Sequence, residues 1–203
     1  MKNYRAEYII NFKHWDEVPQ INDFSFPWNE KQAPYTSFQA FHNGLYLHFR
    51  FVADCNPTFV YEQVNHKLEV IKSERVEIFL RQNNQMSPYY CLEMDPKGRI
   101  LDYYATHYRQ FDYTWKWPEN IHLQTNVEPK RYCLYGKISL AVMDRLGLLN
   151  NNRIEAGLFR AYCTKLEGDR ADLEWISWVN PESEKPDFHI PSAFGTIQLS
   201  EPF

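Results

Sequence analysis

Hydrophobic and polar side chains alternate with a period of two residues along most of this chain, which is the pattern of β-strands. In residues 45–52, large apolar side chains share one face, and the other face carries tyrosine, histidine and arginine. The turn dipeptide Asn43-Gly44 precedes this run, and a second alternating run occupies residues 36–41. Two such runs joined by Asn-Gly predict a β-hairpin.

The same pattern predicts further strands, and only one short helix interrupts them. The predicted strands lie in residues 4–12, 75–80, 88–104 (as a hairpin), 121–127, 131–138, 154–163, 173–179 and 196–199. The helix is expected to begin after Ser139, a good N-cap, and to end at Gly147. This succession predicts an all-β fold: a two-sheet antiparallel β-sandwich, immunoglobulin-like or jelly-roll-like, of roughly ten strands.

The stretch from Trp175 to Leu199 combines a strand, an aromatic excursion and a closing strand. Phe188 and His189 lie between Pro186 and Pro191, which cannot donate hydrogen bonds to a sheet. A large aromatic on a proline-stiffened loop is expected to be poorly placed for a core and well placed for ligand contact. This loop is therefore the first candidate for a binding site.

Composition is consistent with one domain spanning residues 1–203, which can bury roughly 70% of its surface on folding. No apolar run approaches the ~20 residues that span a bilayer, so no membrane partner is expected. The formal charge is −4 and the basic residues are scattered, which argues against nucleic-acid binding. The first residues lack a signal-peptide h-region, so a cytoplasmic location is expected unless a leader has been removed.

Four cysteines, at positions 55, 91, 133 and 163, form no C-x-x-C pair and fit no zinc pattern. We expect buried thiols rather than disulfides.

No cofactor is expected. A structural calcium ion would need oxygen ligands, and no loop has the dense ligand spacing of a calcium site. The scattered candidates are Asp54, Glu93, Asp95, Asp169 and Asp172.

Three pieces of the chain carry a shared signature: WISWVNP with PDFHIPSAFGTIQL within residues 175–199, RVEIFL at 75–80, and residues 89–98. Together they resemble carbohydrate-binding module family 9 and family-9-like proteins. WISWVNP at 175–181 and PDFHIPSAFGTIQL at 186–199 are similar to the C-terminal W-x-x-P and F-G-x-(I/L)-x-L signature of that family. RVEIFL at 75–80 is similar to its V-E-I-F strand, and residues 89–98 match its next strand more weakly. The resemblance covers roughly residues 5 to 200. It implies a β-sandwich that holds the end of a sugar chain between two aromatic side chains.

By the same resemblance, Glu77 matches the glutamate that contacts glycan and Phe188 matches one of the two clamp tryptophans. Ile71 stands where the family has the second clamp tryptophan, and the arginine of the next strand has no clear match. The second platform is therefore expected to be absent or supplied by another aromatic. The candidates are Phe59, Tyr61, Trp28 and Trp115.

The predicted function is thus non-catalytic binding of a mono-, oligo- or polysaccharide. Phe188 would stack on the sugar and Glu77 would accept hydrogen bonds from its hydroxyl groups. His189, Glu93 and Trp178 are weaker candidate contacts, and Trp178 fits a core position better than a binding position. The oligomeric state cannot be predicted.

Two alternatives from other functional classes remain open. Glu77 and Glu93, on adjacent strands, could form the carboxylate pair of a glycoside hydrolase acting on O-glycosyl bonds of a xylan- or glucan-type polysaccharide, or the chain could accompany such an enzyme. However, nothing in the sequence marks either carboxylate as having a shifted pKa, and no nucleophile elbow, H-E-x-x-H motif or phosphate loop is present. An exposed aromatic patch would equally suit a protein–protein interaction module.

A third alternative is haem ligation by histidine and methionine, as in related extracellular sandwich domains. A lone histidine on a strand is more often hydrogen-bonded or solvated than a metal ligand. The available side chains are His48, His107, His122, His189, Met86 and Met94.

Overall fold

The structure is a computed structural model that describes residues 2–201. Its strands are β1 Asn3–Tyr8, β2 Gln20–Ile21, β3 Thr36–His42, β4 Tyr46–Asp54, β5 Arg75–Arg81, β6 Tyr89–Met94, β7 Ile100–Ala105, β8 Phe111–Asp112, β9 His122–Glu128, β10 Arg131–Ser139, β11 Leu149–Asn150, β12 Arg153–Glu167, β13 Arg170–Ser177 and β14 Gly195–Leu199. The helix α1 spans Leu140–Arg145, and short 3₁₀ helices cover Trp15–Glu17, Lys67–Lys72 and Pro191–Ala193.

The strands form two sheets that pack face to face. Sheet I has the order β8-β7-β6-β5-β12-β14-β1, and both β11 and β13 pair with β12. Sheet II has the order β1-β3-β4-β10-β9, and β2 pairs with β3. The predicted hairpin around Asn43-Gly44 is confirmed as β3 and β4, which pair from Thr36 opposite Ala53 to His42 opposite Leu47. The predicted β-sandwich is likewise confirmed.

Strand β1 belongs to both sheets and is the exception to antiparallel pairing. Its residues 3–6 pair with β14, whereas Glu7 and Tyr8 pair with β3, and both pairings are parallel. The sequence predicts the strand itself within residues 4–12, but the prediction of a purely antiparallel sandwich misses its parallel pairing, because partners that are not joined to it by a tight turn leave no hairpin signal. β1 thus forms a corner that joins the two sheets.

The main hydrophobic core lies between the sheets and is built from alternate residues of each strand. In β5, Val76, Ile78 and Leu80 are buried on this inner face, as their spacing predicts. Phe49 and Phe51 of β4 oppose them from sheet II, and both are fully buried. The outer face of β5 therefore carries the odd-numbered side chains.

A second buried cluster covers that outer face, so sheet I is buried on both sides. Phe79 of β5 and Phe159 of β12 pack there with Phe188 and Phe194 from the loop that joins β13 to β14. Loop side chains are what exclude water from this face. The candidate site lies in the same layer.

The predicted helix is confirmed, whereas the two-residue strands β2, β8 and β11 and the 3₁₀ helices are not predicted from the sequence. Ser139 caps α1 by accepting a hydrogen bond from the Val142 backbone N–H. All four cysteines are free, and Cys133 is the one that is not fully buried. In residues 2–201, every helix is too short or too polar to cross a bilayer.

Candidate functional site

A narrow slot opens between the outer face of sheet I and the loop that precedes β14. Its volume is about 130 Å³. Strands β5, β6 and β13 supply its floor and one wall, and residues 186–189 supply the opposite rim. Since strands fix the floor while a loop forms the rim, the polar groups at the bottom are held rigidly.

The floor of the slot is an arginine shared by two carboxylates. Glu77 and Glu93 face each other across β5 and β6. Arg75 Nε lies 2.8 Å from Glu77 Oε1 and 2.7 Å from Glu93 Oε2. All three side chains are more than nine-tenths buried. Yet Arg75 Nε, Glu77 Oε1 and Glu93 Oε2 make no properly directed hydrogen bond to any described residue.

A neighbouring ion pair shows what a structural network in this fold looks like. Arg160 Nε donates to Glu74 Oε1 at 2.6 Å, and both side chains are fully buried. Glu74 also accepts from the Tyr132 hydroxyl group and from the Cys163 backbone N–H. Arg160 donates further to Thr36 Oγ1 and to two backbone carbonyls. At the floor of the slot, by contrast, Arg75 and the two carboxylates are held mainly by one another, and Arg75 also donates to the Ile71 carbonyl at 2.8 Å.

The protonation of the floor is unusual. Burial, reinforced by the nearby Glu93 carboxylate, raises the pKa of Glu77 to about 8, although Arg75 opposes the shift. Nothing in the sequence marks this shift in the pKa of Glu77. The sequence could not show this, because the shift comes from burial in the folded chain and from a neighbour on another strand. At neutral pH Glu77 keeps its proton and can donate as well as accept a hydrogen bond.

Tyr103 completes the floor by orienting the second carboxylate. Its hydroxyl group donates to Glu93 Oε1 at 2.8 Å. Burial raises the pKa of Tyr103 well above its usual value, so the phenol stays protonated and remains a donor. Glu93 is thus held on one oxygen by Tyr103 while its other oxygen faces Arg75.

The apolar wall consists of two half-buried tryptophans and Phe188. Arg75, Ala161 and Trp175 lie in one row across β5, β12 and β13, and the small Ala161 lets the outer two approach. The Arg75 guanidinium lies 5.6 Å from the centre of the Trp175 ring. The Trp175 ring meets Phe188 edge-on, with centroids 5.8 Å apart.

Trp28 reaches this wall from the loop that precedes β3. Ser25 exchanges two backbone hydrogen bonds with Ser177, which ties that loop to the end of β13. Trp28 Nε1 donates to the Ser183 carbonyl at 2.8 Å, and its ring centre lies 5.6 Å from that of Phe188. Trp28 is the one proposed substitute for the second clamp that lines the slot.

The rim of the slot is a latch between two loops, formed by residues 108–109 and 187–189. Asp187 accepts hydrogen bonds from the Tyr108 hydroxyl group at 2.6 Å, from Arg109 at 3.1 Å and from the His189 backbone N–H at 2.9 Å. Burial would raise the pKa of Asp187, but these bonds and the Arg109 charge hold it below its usual value. The carboxylate therefore stays ionised and keeps the latch closed.

His189 lies behind the latch with its ring packed among aromatic side chains. Its Nδ1 is 3.1 Å from the Tyr89 hydroxyl oxygen, and its ring centre is 4.9 Å from that of Phe111. Burial, and then the Arg109 charge, lower the pKa of His189 to about 4. The imidazole is consequently neutral at physiological pH.

The structure brings four of the five predicted site residues to one place. Glu77, Glu93, Phe188 and His189 all line the slot. Trp178 does not, because it is 1% exposed and lies in the core between the sheets.

The expected environment of Phe188 needs correction. The sequence places it away from the core, but the side chain is only 6% exposed and its ring lies on Phe159. The prolines that remove the loop from the sheet ladder do not lift it off the sheet surface. Phe188 nevertheless lines the slot.

Sequence reasoning missed three of the polar and aromatic residues of the slot: Arg75, Arg109 and Trp175. For two of them a signal was present. Arg75 precedes Glu77 by two residues and so shares its face of β5. Trp175 lies in a predicted strand with large side chains on both faces. The sequence does not show which face is the outer one, because that follows from the pairing of β13 with β12. Arg109 is on a loop whose position follows only from the tertiary structure.

The candidate calcium ligands are not assembled into a site. Asp95 instead binds Arg99 and two backbone N–H groups, and Asp169 lies near Lys72 on an exposed turn. Within residues 2–201, no three histidine, cysteine or carboxylate side chains are grouped as metal ligands would be.

Solved structures show the same fold at low sequence identity. A candidate carbohydrate-binding protein from Bacteroides uniformis aligns with a TM-score of 0.71 and 16% identity over 98% of this chain and 99% of that chain. A family 9 carbohydrate-binding module from Caldicellulosiruptor kristjanssonii aligns with a TM-score of 0.63 and 14% identity in its complexes with glucose and with cellotriose. These alignments cover 100% of this chain and 97% and 95% of those chains.

Comparison with curated proteins gives no match. The family model described as carbohydrate family 9 binding domain-like matches residues 13–202. This range includes every residue of the slot. The resemblance seen in the sequence is thereby confirmed, and the chain belongs to the carbohydrate family 9 binding domain-like family.

Proposed function

We propose that this chain binds a saccharide in the slot without cleaving it. The observation that carries the proposal is the incompletely hydrogen-bonded Arg75, Glu77 and Glu93 floor beneath an aromatic wall. Sugars combine apolar C–H faces with many hydroxyl groups, so an aromatic wall above a polar floor complements both parts.

Each part of the slot has a defined role in this proposal. Trp175 and Trp28 present half-buried rings to the C–H face of one sugar unit, with Phe188 as the wall behind them. Arg75 donates to a hydroxyl oxygen, Glu93 accepts from a hydroxyl group, and protonated Glu77 can do either. Hydrogen bonds to the ligand would supplement the ion pairs of Arg75 with Glu77 and Glu93, whose mutual hydrogen bonds are poorly directed.

The arrangement of the two carboxylates supports binding rather than hydrolysis. A glycosidase needs its two carboxyl groups on either side of the scissile bond. Here Glu77 and Glu93 lie on the same sheet face and converge on one nitrogen of Arg75. A sugar in the slot would meet both from the same side. The raised pKa of Glu77 alone does not supply the opposite carboxylate.

The test is a titration with glucose and cellotriose, the sugars bound by the structural neighbour, followed by tryptophan fluorescence and protein-observed NMR. We expect saturable shifts at residues of the slot. Trp175→Ala should weaken binding about tenfold, since roughly half of a ~100 Å² stacking contact is worth ~1.3 kcal/mol.

The matched control is Ile71→Ala, at the position that the family resemblance assigns to a clamp. Ile71 is 37% exposed and does not line the slot, so this variant should bind as the wild type does. Absence of saturable shifts with these sugars and a wider neutral panel up to high millimolar concentrations would refute the proposal. Release of reducing ends from cellotriose, abolished by Glu77→Gln, would refute its non-catalytic part.

A further inference from the structure

We propose that the outer face of sheet II carries a second site, which takes a saccharide bearing a negative charge. This face is the side of the sandwich opposite to the slot. A trough of about 660 Å³ runs over β4, β10 and β9 beside the 3₁₀ helix at Trp15, and it is about five times larger than the slot. Volumes of this size are usual for small-molecule sites.

Cross-strand register places three nitrogen-bearing side chains in one row of the trough. Lys137 of β10 pairs with His48 of β4 on one side and with His122 of β9 on the other. All three side chains lie on the outer face, because Leu47 and Ile138, their chain neighbours, point into the core. The row therefore presents one ammonium group between two imidazoles.

The cations of this face have no carboxylate partner. Lys137 lies 4.7 Å from the centre of the Tyr46 ring and forms no ion pair within the described residues. Arg50 donates to Gln39 Oε1 at 2.9 Å and likewise forms no ion pair there.

The lining of the trough has a charge opposite to that of the protein as a whole. The chain carries a formal charge of −4, yet no described carboxylate lines the trough. Asp16 and Glu17, which follow Trp15 in the sequence, are exposed on the same 3₁₀ helix and do not line the trough. The slot, by contrast, contains three carboxyl groups. The slot also contains Arg75 and Arg109, which balance its ionised carboxylates, whereas Lys137 is, among the described residues, the one formally charged residue lining the trough. An anion is thus favoured more in the trough than in the slot.

His48 provides a polar atom that is buried without a partner. Its ring stacks on Phe41, with centroids 4.6 Å apart and planes 5° apart, which fixes its orientation. Its Nε2 is inaccessible to solvent and makes no hydrogen bond to any described residue. The stacking on Phe41, not a hydrogen bond at Nε2, therefore holds the imidazole in the row beside Lys137.

Aromatic side chains explain why the ligand would be a sugar rather than a bare anion. Trp15 and Tyr135 line the trough with ring centres 6.0 Å apart. Together they provide an apolar surface for the C–H face of a pyranose, next to the cationic row that would hold its charged substituent. Gln124 adds an exposed amide at the outer end.

The test is an NMR-monitored titration of the whole chain with trigalacturonate, glucose 6-sulfate, cellotriose and sodium sulfate. We expect trigalacturonate or the sulfate ester to shift the Trp15 indole and the amides of β4, β9 and β10. Whichever binds more tightly identifies the charged group as a carboxylate or a sulfate. The shifts should persist in the slot variant Trp175→Ala, so this result does not depend on binding in the slot.

Lys137→Gln should weaken that binding about tenfold, the usual size of one charge-assisted hydrogen bond. Lys130→Gln is the matched control, because Lys130 is an exposed lysine at the turn of the same β9–β10 hairpin and lies outside the trough. If Lys137→Gln changes the spectrum of the free protein, His122→Gln replaces it as the test variant, because His122 is exposed and lies in the same row.

Four outcomes would overturn the proposal. These are no shifts on this face with either charged sugar, equal affinity for sodium sulfate, competition by cellotriose at the same residues, or equal effects of Lys137→Gln and Lys130→Gln.

Discussion

The ring of Phe188 lies flat on the ring of Phe159, with centroids 4.0 Å apart and planes 9° apart. Phe159 is on the outer face of β12, in the same cross-strand row as Glu77. This stacking fastens the loop of residues 178–194 to the sheet. The residue that most resembles a ligand platform in the sequence is therefore first of all a part of the second hydrophobic cluster.

Phe188→Ala should accordingly be a stability variant. We expect the free energy of unfolding to fall by about 3–5 kcal/mol, as for other buried phenylalanines. Phe188→Leu should cost less, because it keeps most of the buried volume. Urea denaturation measures both. A loss below about 1 kcal/mol for Phe188→Ala would mean that the loop is not packed on β12. The stability of this variant has to be measured before its sugar binding, because a partly unfolded protein would also bind less.

Asp187→Ala should open the latch at the rim of the slot. The carboxylate holds Tyr108, Arg109 and the His189 backbone N–H together. Without it we expect faster amide hydrogen exchange in residues 186–190 and faster dissociation of a bound sugar. Tyr108→Phe removes one of these bonds and should show a smaller effect in the same direction. Unchanged exchange in both variants would contradict the latch.

Glu77 should make the protein less stable as the pH rises. Its pKa is about 8 in the folded protein against a usual value of 4.5, so the folded state holds a proton that the unfolded state releases between these values. The free energy of unfolding should fall by more than about 1 kcal/mol between pH 6.5 and 8.5, as expected from ~1.4 kcal/mol per pKa unit. In Glu77→Gln this decrease should largely disappear. Denaturation midpoints across this pH range decide it.

His189 should make the protein less stable as the pH falls, which is the opposite of the effect of Glu77. Its pKa is about 4 in the folded protein against 6.5 when unfolded, so its contribution to stability is complete above pH 6.5 and is lost as the pH falls toward 4. In a Glu77→Gln protein, the free energy of unfolding should decrease as the pH falls from 6.5 to 5. Adding His189→Gln should make this decrease smaller. It should not abolish it, since burial lowers the pKa of His42 and His48 as well.

Glu74→Gln and Glu77→Gln should differ although they are close in sequence and both buried. Glu74 is the sole carboxylate paired with Arg160 among the described residues, so its neutralisation leaves a buried charge unpaired and should cost about 3–5 kcal/mol. Glu77 shares Arg75 with Glu93, and its loss leaves that pair intact. Equal destabilisation, measured by urea denaturation at pH 7, would contradict this division into structural and ligand-binding networks.

Most of the sandwich could be predicted from the sequence because its strands pair with near neighbours. β3 with β4, β5 with β6 and β9 with β10 are joined by short turns, and alternation assigns their faces. The floor of the slot was accessible for the same reason, since Glu77 and Glu93 lie on adjacent strands. Their shared arginine and the raised pKa depend on side-chain positions that alternation does not specify.

The wall and the rim of the slot could be predicted only in part. Trp28 is one of four candidate platforms, and Trp175 lies on a predicted strand whose outer side the pattern does not identify. Trp28, Arg109 and Trp175 come from three distant segments, and only the path of the loops brings them together. Prolines correctly indicated that the loop around Phe188 leaves the sheet ladder. They could not indicate that its side chains return to cover the sheet, because backbone pairing and side-chain burial are separate properties.

The position of β14 between β12 and β1 has a consequence for biosynthesis. The ribosome makes β1 first, but its partner in sheet I is the last strand. Until β14 emerges, β1 and β12 both present unpaired backbone groups on the same sheet. The sandwich therefore cannot close before β14 has left the ribosome, and a chain truncated before Gly195 would have two exposed edges prone to aggregation.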